Sequence, residues 1–261
     1  MNERPYKALG VSVEAGVARL VLTNPARKNA IGPVMINELL WALSDAKADA
    51  AVRSIVLTGA GDAFCAGGDF AQMTAGGDGA TLELKGDYAD LLLTMVQLDK
   101  PIVARVNGAA MGGGLGLVAA SHFAVAARGA KLGTPEINVG LFPMMIMAVL
   151  ARVVPRRRLL EMMLFGERMD ADRAAEIGLV GRVVEAAELD GAVASITDAI
   201  AAKSPVAVRM GLEAFAAQQD VALAQALPDL RERLGKILAT DDAREGLMAF
   251  LEKRAPTWTG R

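Results

Sequence analysis

Two short apolar runs open the chain, at residues 11–14 and 17–23, separated by Ala15-Gly16, and together they predict a β-hairpin. The period then changes. After Pro33, a residue suited to the first helical position, Ile36, Leu39, Leu40 and Leu43 recur at i, i+3, i+4 and i+7 and predict an amphipathic helix. RSIVLT at 53–58 is a continuous apolar run, read as a buried strand that enters the loop GAGDAFCAGGDF. A second helical stretch covers 84–98 and ends before Asp99-Lys100-Pro101, and IVARV at 102–106 is the next strand. The stretch 111–123, MGGGLGLVAASHF, follows almost at once, and 123–126 predicts a further strand. Strand, loop and helix alternate in this way as far as residue 130, the pattern of an α/β fold.

From Pro143 onward helical periodicity takes over. It runs through 160–164, 187–202, Leu227, Leu230, Leu234 and Leu238, and finally Leu247, Phe250 and Leu251, with one strand signal left at 179–184. The expected division is a mixed core over residues 1–200 and a helical region over 201–261. No low-complexity linker separates the two, so the tail is expected to pack on the core or on a neighbouring subunit. No fixed-period repeat is visible.

Composition narrows the classes. A chain of 261 residues suits one large α/β domain, alone or with a small appendage. A formal net charge of -2, with no dense basic block, argues against nucleic acid as the main partner. One cysteine (Cys65) and one histidine (His122) leave no internal disulfide framework and no Cys/His zinc cluster within the chain, so no metal is expected. The opening MNERPYKALG lacks the apolar core of a signal peptide, and no apolar run approaches the ~20 residues of a membrane span. The expectation is a cytoplasmic protein with no membrane partner. An apolar fraction of 53% is high, and either a large core or buried subunit interfaces would absorb it.

The glycine run needs a cause. Glycine inside a helix costs roughly 1 kcal/mol relative to alanine, and Gly112, Gly113, Gly114 and Gly116 crowd one short stretch. The run does not spell a dinucleotide fingerprint, and no Gly-Lys-Ser/Thr phosphate loop is present. Ser121 and His122 are adjacent, with no second histidine, so a nucleophilic triad is not supported. What is present is a pair of similar turns: Gly67-Gly68 after the strand at 53–58, and Gly112 to Gly114 after the strand at 102–106. Their bare backbone N–H groups could grip an oxygen that becomes negative during a reaction, or the glycines could simply let a helix pack tightly. In TPEINVGLFP (134–143), Glu136 sits among apolar residues, where partial desolvation would raise its pKa and suit proton transfer; a surface loop glutamate is the other reading. Met144, Met145 and Met147 make a pliable apolar surface, with Met147 expected in the core, and the glycine-rich segment 74–80 is expected to border the same pocket and to be mobile.

At these segments the chain resembles the crotonase superfamily, the enoyl-CoA hydratase/isomerase family. The resemblance is carried, in order, by NPARKNAI (24–31), FCAGGD (64–69), NGAAMGGG (107–114), TPEINVGLFP, GERMDADRAAEIGLVGRVV (166–184) and EGLMAFLEKRAPTWTG (245–260). It implies a spiral of ββα units with a C-terminal helical trimerisation region, forming a homotrimer or homohexamer. It implies an acyl-CoA thioester substrate, with coenzyme A as part of the substrate and no separate cofactor. The backbone N–H groups of Gly68 and Gly113 would hold the enolate oxygen, and Glu136 would be the acid/base. Ala66 matches a position that contacts the adenine, Arg27 and Lys28 lie where relatives meet the CoA phosphates, and Phe250 and Lys253 match C-terminal positions that reach the nucleotide. Ala30, Asp69, Phe70, Phe142 and Met144 complete the expected substrate-binding set.

The departures leave the reaction open. Two-carboxylate hydratases of this family carry a second glutamate at the position of Gly116, and an aspartate at that of His122. Glu136 alone suits a one-base shuttle, as in Δ3 to Δ2 double-bond isomerisation, while the overall likeness points to hydration of 2-enoyl-CoA. A crotonase-fold decarboxylase or acyl-CoA hydrolase, or a non-catalytic CoA-binding homologue, are the alternatives. Gly116→Glu would probe whether the missing carboxylate limits hydration. His122, at the end of an apolar helix, is read as a packing or hydrogen-bonding residue rather than a catalytic one.

Overall fold

A computed structural model describes residues 1–69 and 81–261. The chain begins with β1 (Leu9–Glu14) and β2 (Val17–Leu22), an antiparallel hairpin turned by Ala15 and Gly16, both at positive φ. Helix α1 (Pro33–Ala48) follows, then β3 (Ser54–Gly59), β4 (Ala63–Cys65) and α2 (Tyr88–Val96). The next turn of the chain is β5 (Ile102–Val106), β6 (Ala109–Met111) and α3 (Gly113–Ala119). The next again is β7 (Phe123–Ala127), β8 (Lys131–Gly133), a 3-10 turn at Pro135–Val139 and α4 (Met144–Leu150). Then come α5 (Arg156–Phe165), β9 (Arg168–Asp170), α6 (Ala171–Glu176), β10 (Arg182–Val184) and α7 (Leu189–Ala201). The chain ends in α8 (Pro205–Gln218), α9 (Leu223–Leu238) and α10 (Asp241–Leu251).

Each repeat lays one long strand in a first sheet and one short strand in a second, then crosses back by a helix. The first sheet has the order β1-β2-β3-β5-β7-β10 and is parallel from β2 onward; the second has the order β4-β6-β8-β9. This is the expected ββα spiral. Ile55 and Leu57 face the main core, while Val56 joins Val103, Val125 and Leu189 in a smaller cluster under α7. With both faces covered, β3 reads as a continuous apolar run instead of an alternating one.

Several elements differ from the sequence reading for local reasons. The helix expected over 84–98 starts only at Tyr88, because Asp87 accepts the N–H groups of Ala89 and Asp90 and closes a capping box with Asp90. The strand signal at 179–184 shortens to Arg182–Val184, since the N–H of Leu179 bonds back to Ala174 O and Gly181 N–H goes to Ala124 O. The four strands of the second sheet, each three residues long, are too short to register as alternation. Met147 is 36% exposed, and Ile146, Val149 and Leu150 are the residues of that helix in the core. On the last two helices, Leu227, Leu234, Leu238, Leu247 and Leu251 are all exposed, so the tail does not bury its leucines against its own core. Among the described residues, no helix is long and apolar enough to cross a membrane.

Candidate active site

Asn29 organises the first glycine turn. Fully buried and at φ 56°, it donates its side-chain amide to Ala60 O (2.8 Å) and Ala63 O (2.9 Å) and accepts from Asn24 N–H. Asn107 does the same from the other side, accepting from Thr58 and Gly59 and donating to Gly61 O and Ala63 O. These two amides hold β4 and lead the chain into Ala66, Gly67 and Gly68. There Ile31 N–H bonds Gly67 O and Asp69 N–H bonds Ile31 O, a one-residue bridge that leaves the Gly68 N–H out of it.

The second glycine turn meets the first. A Cβ on Gly67 would stand 3.1 Å from Met111 O and 3.8 Å from the Gly113 nitrogen. A Cβ on Gly114 would strike Cys65 O at 2.5 Å, so this glycine is demanded by helix-on-strand packing. Gly112 has φ 48°, a conformation costly for any residue with a side chain, and its Cβ would come within 2.8 Å of Glu136 Oε1. Gly113 differs: a Cβ there would meet nothing nearer than Tyr88 at 3.6 Å. Its N–H, first of α3, has no acceptor within the helix. Packing therefore accounts for Gly112 and Gly114 but makes no demand at Gly113.

Glu136 is carried by the 3-10 turn that follows β8. Thr134 Oγ1 anchors that turn on Met162 O (2.9 Å), Asn138 donates to Gly166 O (3.1 Å), and Leu141 N–H closes it onto Glu136 O (3.0 Å). The side chain is half-buried, its Oε2 is sequestered from solvent, and that oxygen has no hydrogen-bond partner among the described residues. Burial pushes the Glu136 carboxyl above its ordinary value, partly opposed by its own backbone N–H. Gly68, Gly113 and Glu136 line one cavity of about 200 Å³, which Ile31, Tyr88 and Phe142 help to wall. Larger recesses exist, including one of about 330 Å³ beside His122, but neither glycine turn nor Glu136 lines it. His122 itself accepts Ile102 N–H on Nδ1 (3.0 Å), and burial pulls its pKa down to about 4. It is a neutral hydrogen-bond acceptor that pins the start of β5.

Residues 12–261 match the family model described as enoyl-CoA hydratase/isomerase. The chain belongs to the enoyl-CoA hydratase/isomerase family. A crystal structure of an enoyl-CoA hydratase from Mycobacterium smegmatis superimposes with a TM-score of 0.89 at 36% identity, covering 97% of this chain and 99% of that one. A Bacillus subtilis protein named "Probable enoyl-CoA hydratase" is 35% identical over 97% of this chain and 99% of its own. The Xenopus laevis mitochondrial enoyl-CoA hydratase domain-containing protein 3 is 34% identical over 94% of this chain and 84% of its own.

Within this enoyl-CoA hydratase/isomerase fold the expected substrate-binding residues divide into three groups. Phe142 and Met144 line the cavity with Gly68, Gly113 and Glu136. Arg27, Lys28, Ala30, Ala66 and Asp69 form a second group around the first glycine turn and do not line the cavity: Ala66 N–H bonds Lys28 O (2.9 Å), Ala30 N–H bonds Arg27 O (3.1 Å), and Arg27 pairs with Asp69 at 3.0 Å. Phe250, 81% exposed, and Lys253 lie on and just after α10, and neither lines the cavity of its own chain. Phe70 and the segment 74–80 lie outside the described residues. Sequence reasoning missed Tyr88 and Ile146, both in the wall of the cavity, and the structural amides Asn29 and Asn107. An aspartate capping box just before Tyr88 was the one available signal for the tyrosine. Position 116, where the resemblance led to the expectation of a second carboxylate in hydratases, is closed to a side chain as the residues stand, because a Cβ on Gly116 would stand 2.4 Å from the Tyr88 hydroxyl and 2.5 Å from Ile146 Cγ2. Gly116→Glu alone therefore cannot simply restore a carboxylate.

Proposed function

We propose that this protein isomerises an acyl-CoA thioester, moving a Δ3 double bond to Δ2 through an enolate. The carrying observation is that, among the described residues, one carboxylate lines the cavity of the two glycine turns: Glu136, with a buried and unpartnered oxygen. In this reading the N–H groups of Gly68 and Gly113 receive the thioester oxygen. Glu136 takes a proton from C2, the electron pair spreads over C2 to C4 and the thioester oxygen, and the same carboxyl returns the proton to C4. Backbone donors aimed at the oxygen stabilise the charge as it develops, with no reorganisation needed at that moment. A desolvated carboxylate is a stronger base than one in water and can hold the proton between the two transfers. Apolar Ile31, Phe142, Met144 and Met145 suit the acyl chain. The group Arg27, Lys28, Ala30 and Ala66 would take the CoA moiety. Phe250 and Lys253 would reach a nucleotide only across a subunit boundary, and we place them there.

The relatives' names favour a second reading, hydration of 2-enoyl-CoA. Incubation with 2-enoyl- and 3-enoyl-CoA in heavy water separates the two. Conversion of the 3-enoyl ester faster than formation of 3-hydroxyacyl-CoA supports isomerisation, and the reverse order overturns it. Full activity on both esters in Glu136→Gln would remove Glu136 from the mechanism.

A further inference from the structure

Tyr88 is nine-tenths buried and is the first residue of α2 after the Asp87 cap, so its ring is aimed by a fixed helix start. Its hydroxyl crosses to α3 and donates to Gly113 O at 2.5 Å. Gly113 and Gly116 are three residues apart on one face of that helix, and the same hydroxyl fills the space a Cβ at 116 would need. Ile146 Cγ2 fills the rest from the side of α4. Burial holds the phenol protonated, far above its ordinary range, with the nearby Glu136 adding to the effect. The group is therefore a space-filler and a donor to a carbonyl, not a base that could activate water.

We infer that Tyr88 is the specificity-determining residue of the cavity: with Ile146 it occupies the space that a residue-116 carboxylate would use, so no such group can deliver water to C3 of a 2-enoyl thioester, while proton transfer from C2 to C4 by Glu136 stays open. The inference rests on the reading of Glu136 as the acid/base. It couples Gly116 to Tyr88 and Ile146 together, since glycine is needed at 116 while either side chain stands over it.

The test is a double-mutant cycle of Gly116→Glu and Tyr88→Ala in an Ile146→Ala background, which removes the second obstruction, with the ratio of hydration to isomerisation measured on 2-enoyl- and 3-enoyl-CoA. Gly116→Glu alone is expected to leave the ratio unchanged or to abolish both activities. The double variant is expected to raise it about 100-fold over wild type, the scale of one added acid/base group. A folded double variant with an unchanged ratio, or an equal rise from Gly116→Glu alone, overturns the inference. Should the double variant fail to fold, Gly116→Ala is compared in wild type and in Tyr88→Phe by thermal melting. The alanine should lower Tm clearly in wild type and less without the hydroxyl; equal losses overturn the steric coupling. If wild type converts neither thioester, the functional reading fails by itself, while the melting cycle still decides whether Tyr88 excludes a side chain at 116.

Discussion

Glu136 sits on a rigid turn, with one oxygen buried and its acidity governed first by desolvation. Burial penalises the charged form, so the folded carboxyl keeps its proton to a higher pH than the ordinary 4.5. As a base it works deprotonated, and the rate must rise with pH through this raised value. The acidic limb of kcat/KM should therefore have its midpoint above 4.5, and Glu136→Gln should remove the limb while lowering the rate by a factor of about 100 to 10,000. A midpoint at or below 4.5 would contradict the buried carboxyl. At this scale the sequence was informative about Glu136, because a carboxylate in an apolar run is visible without coordinates. Tyr88 was not legible. What matters about it is a 2.5 Å contact across 25 residues of chain, and nothing local records that.

The strands of the first sheet before β10 were readable because each carries an apolar run or a clear turn, as in IVARV or the Ala15-Gly16 hairpin. The short strands of the second sheet were not, since three residues cannot show a period. The first of them, β4, is held by side-chain amides in addition to pairing. Asn29→Ala would take the side-chain partner from Ala60 O and the Asn24 N–H and leave Ala63 O to Asn107 alone, beside the first glycine turn. A loss of about 3 kcal/mol is expected, read from chemical denaturation, because each buried group left unpaired costs about 1–3 kcal/mol and partial solvation offsets some of it. Activity should fall further than stability explains, as Gly68 loses its support; unchanged activity in the folded variant would detach Asn29 from the site. The motif at 24–31 was legible as a motif, while the job of its asparagine was not.

For the whole molecule, the decisive feature is the exposed apolar surface of α9 and α10. Leu227 and Leu234, 57% and 54% exposed, lie seven residues apart on one face of α9, with Leu238 and Leu247 also open. Exposed leucines on one helical stripe mark a surface made to be covered. We propose that a second copy of the chain covers it. Light scattering should then give a mass at least twice the 27.2 kDa of one chain, and Leu227→Glu with Leu234→Glu should lower that mass. A wild-type monomer would overturn the proposal. Such association would also offer Phe250 and Lys253 to a neighbouring cavity, which their own chain does not.

The sequence by itself determined the family, the order of long strands and helices, and the three segments that meet in the cavity. These are properties of local period and of motifs whose residues are close in the chain. The tertiary structure decided which glycine is bare for packing and which is not: Gly114 abuts Cys65, Gly112 abuts Glu136, Gly116 lies under Tyr88, and Gly113 is crowded by none of them. It also decided that the space beside Gly116 is filled by Tyr88 and Ile146, not vacant. The physical reason is that excluded volume belongs to pairs of atoms distant in sequence. A glycine alone cannot say whether it leaves room for a ligand or for a side chain from another helix.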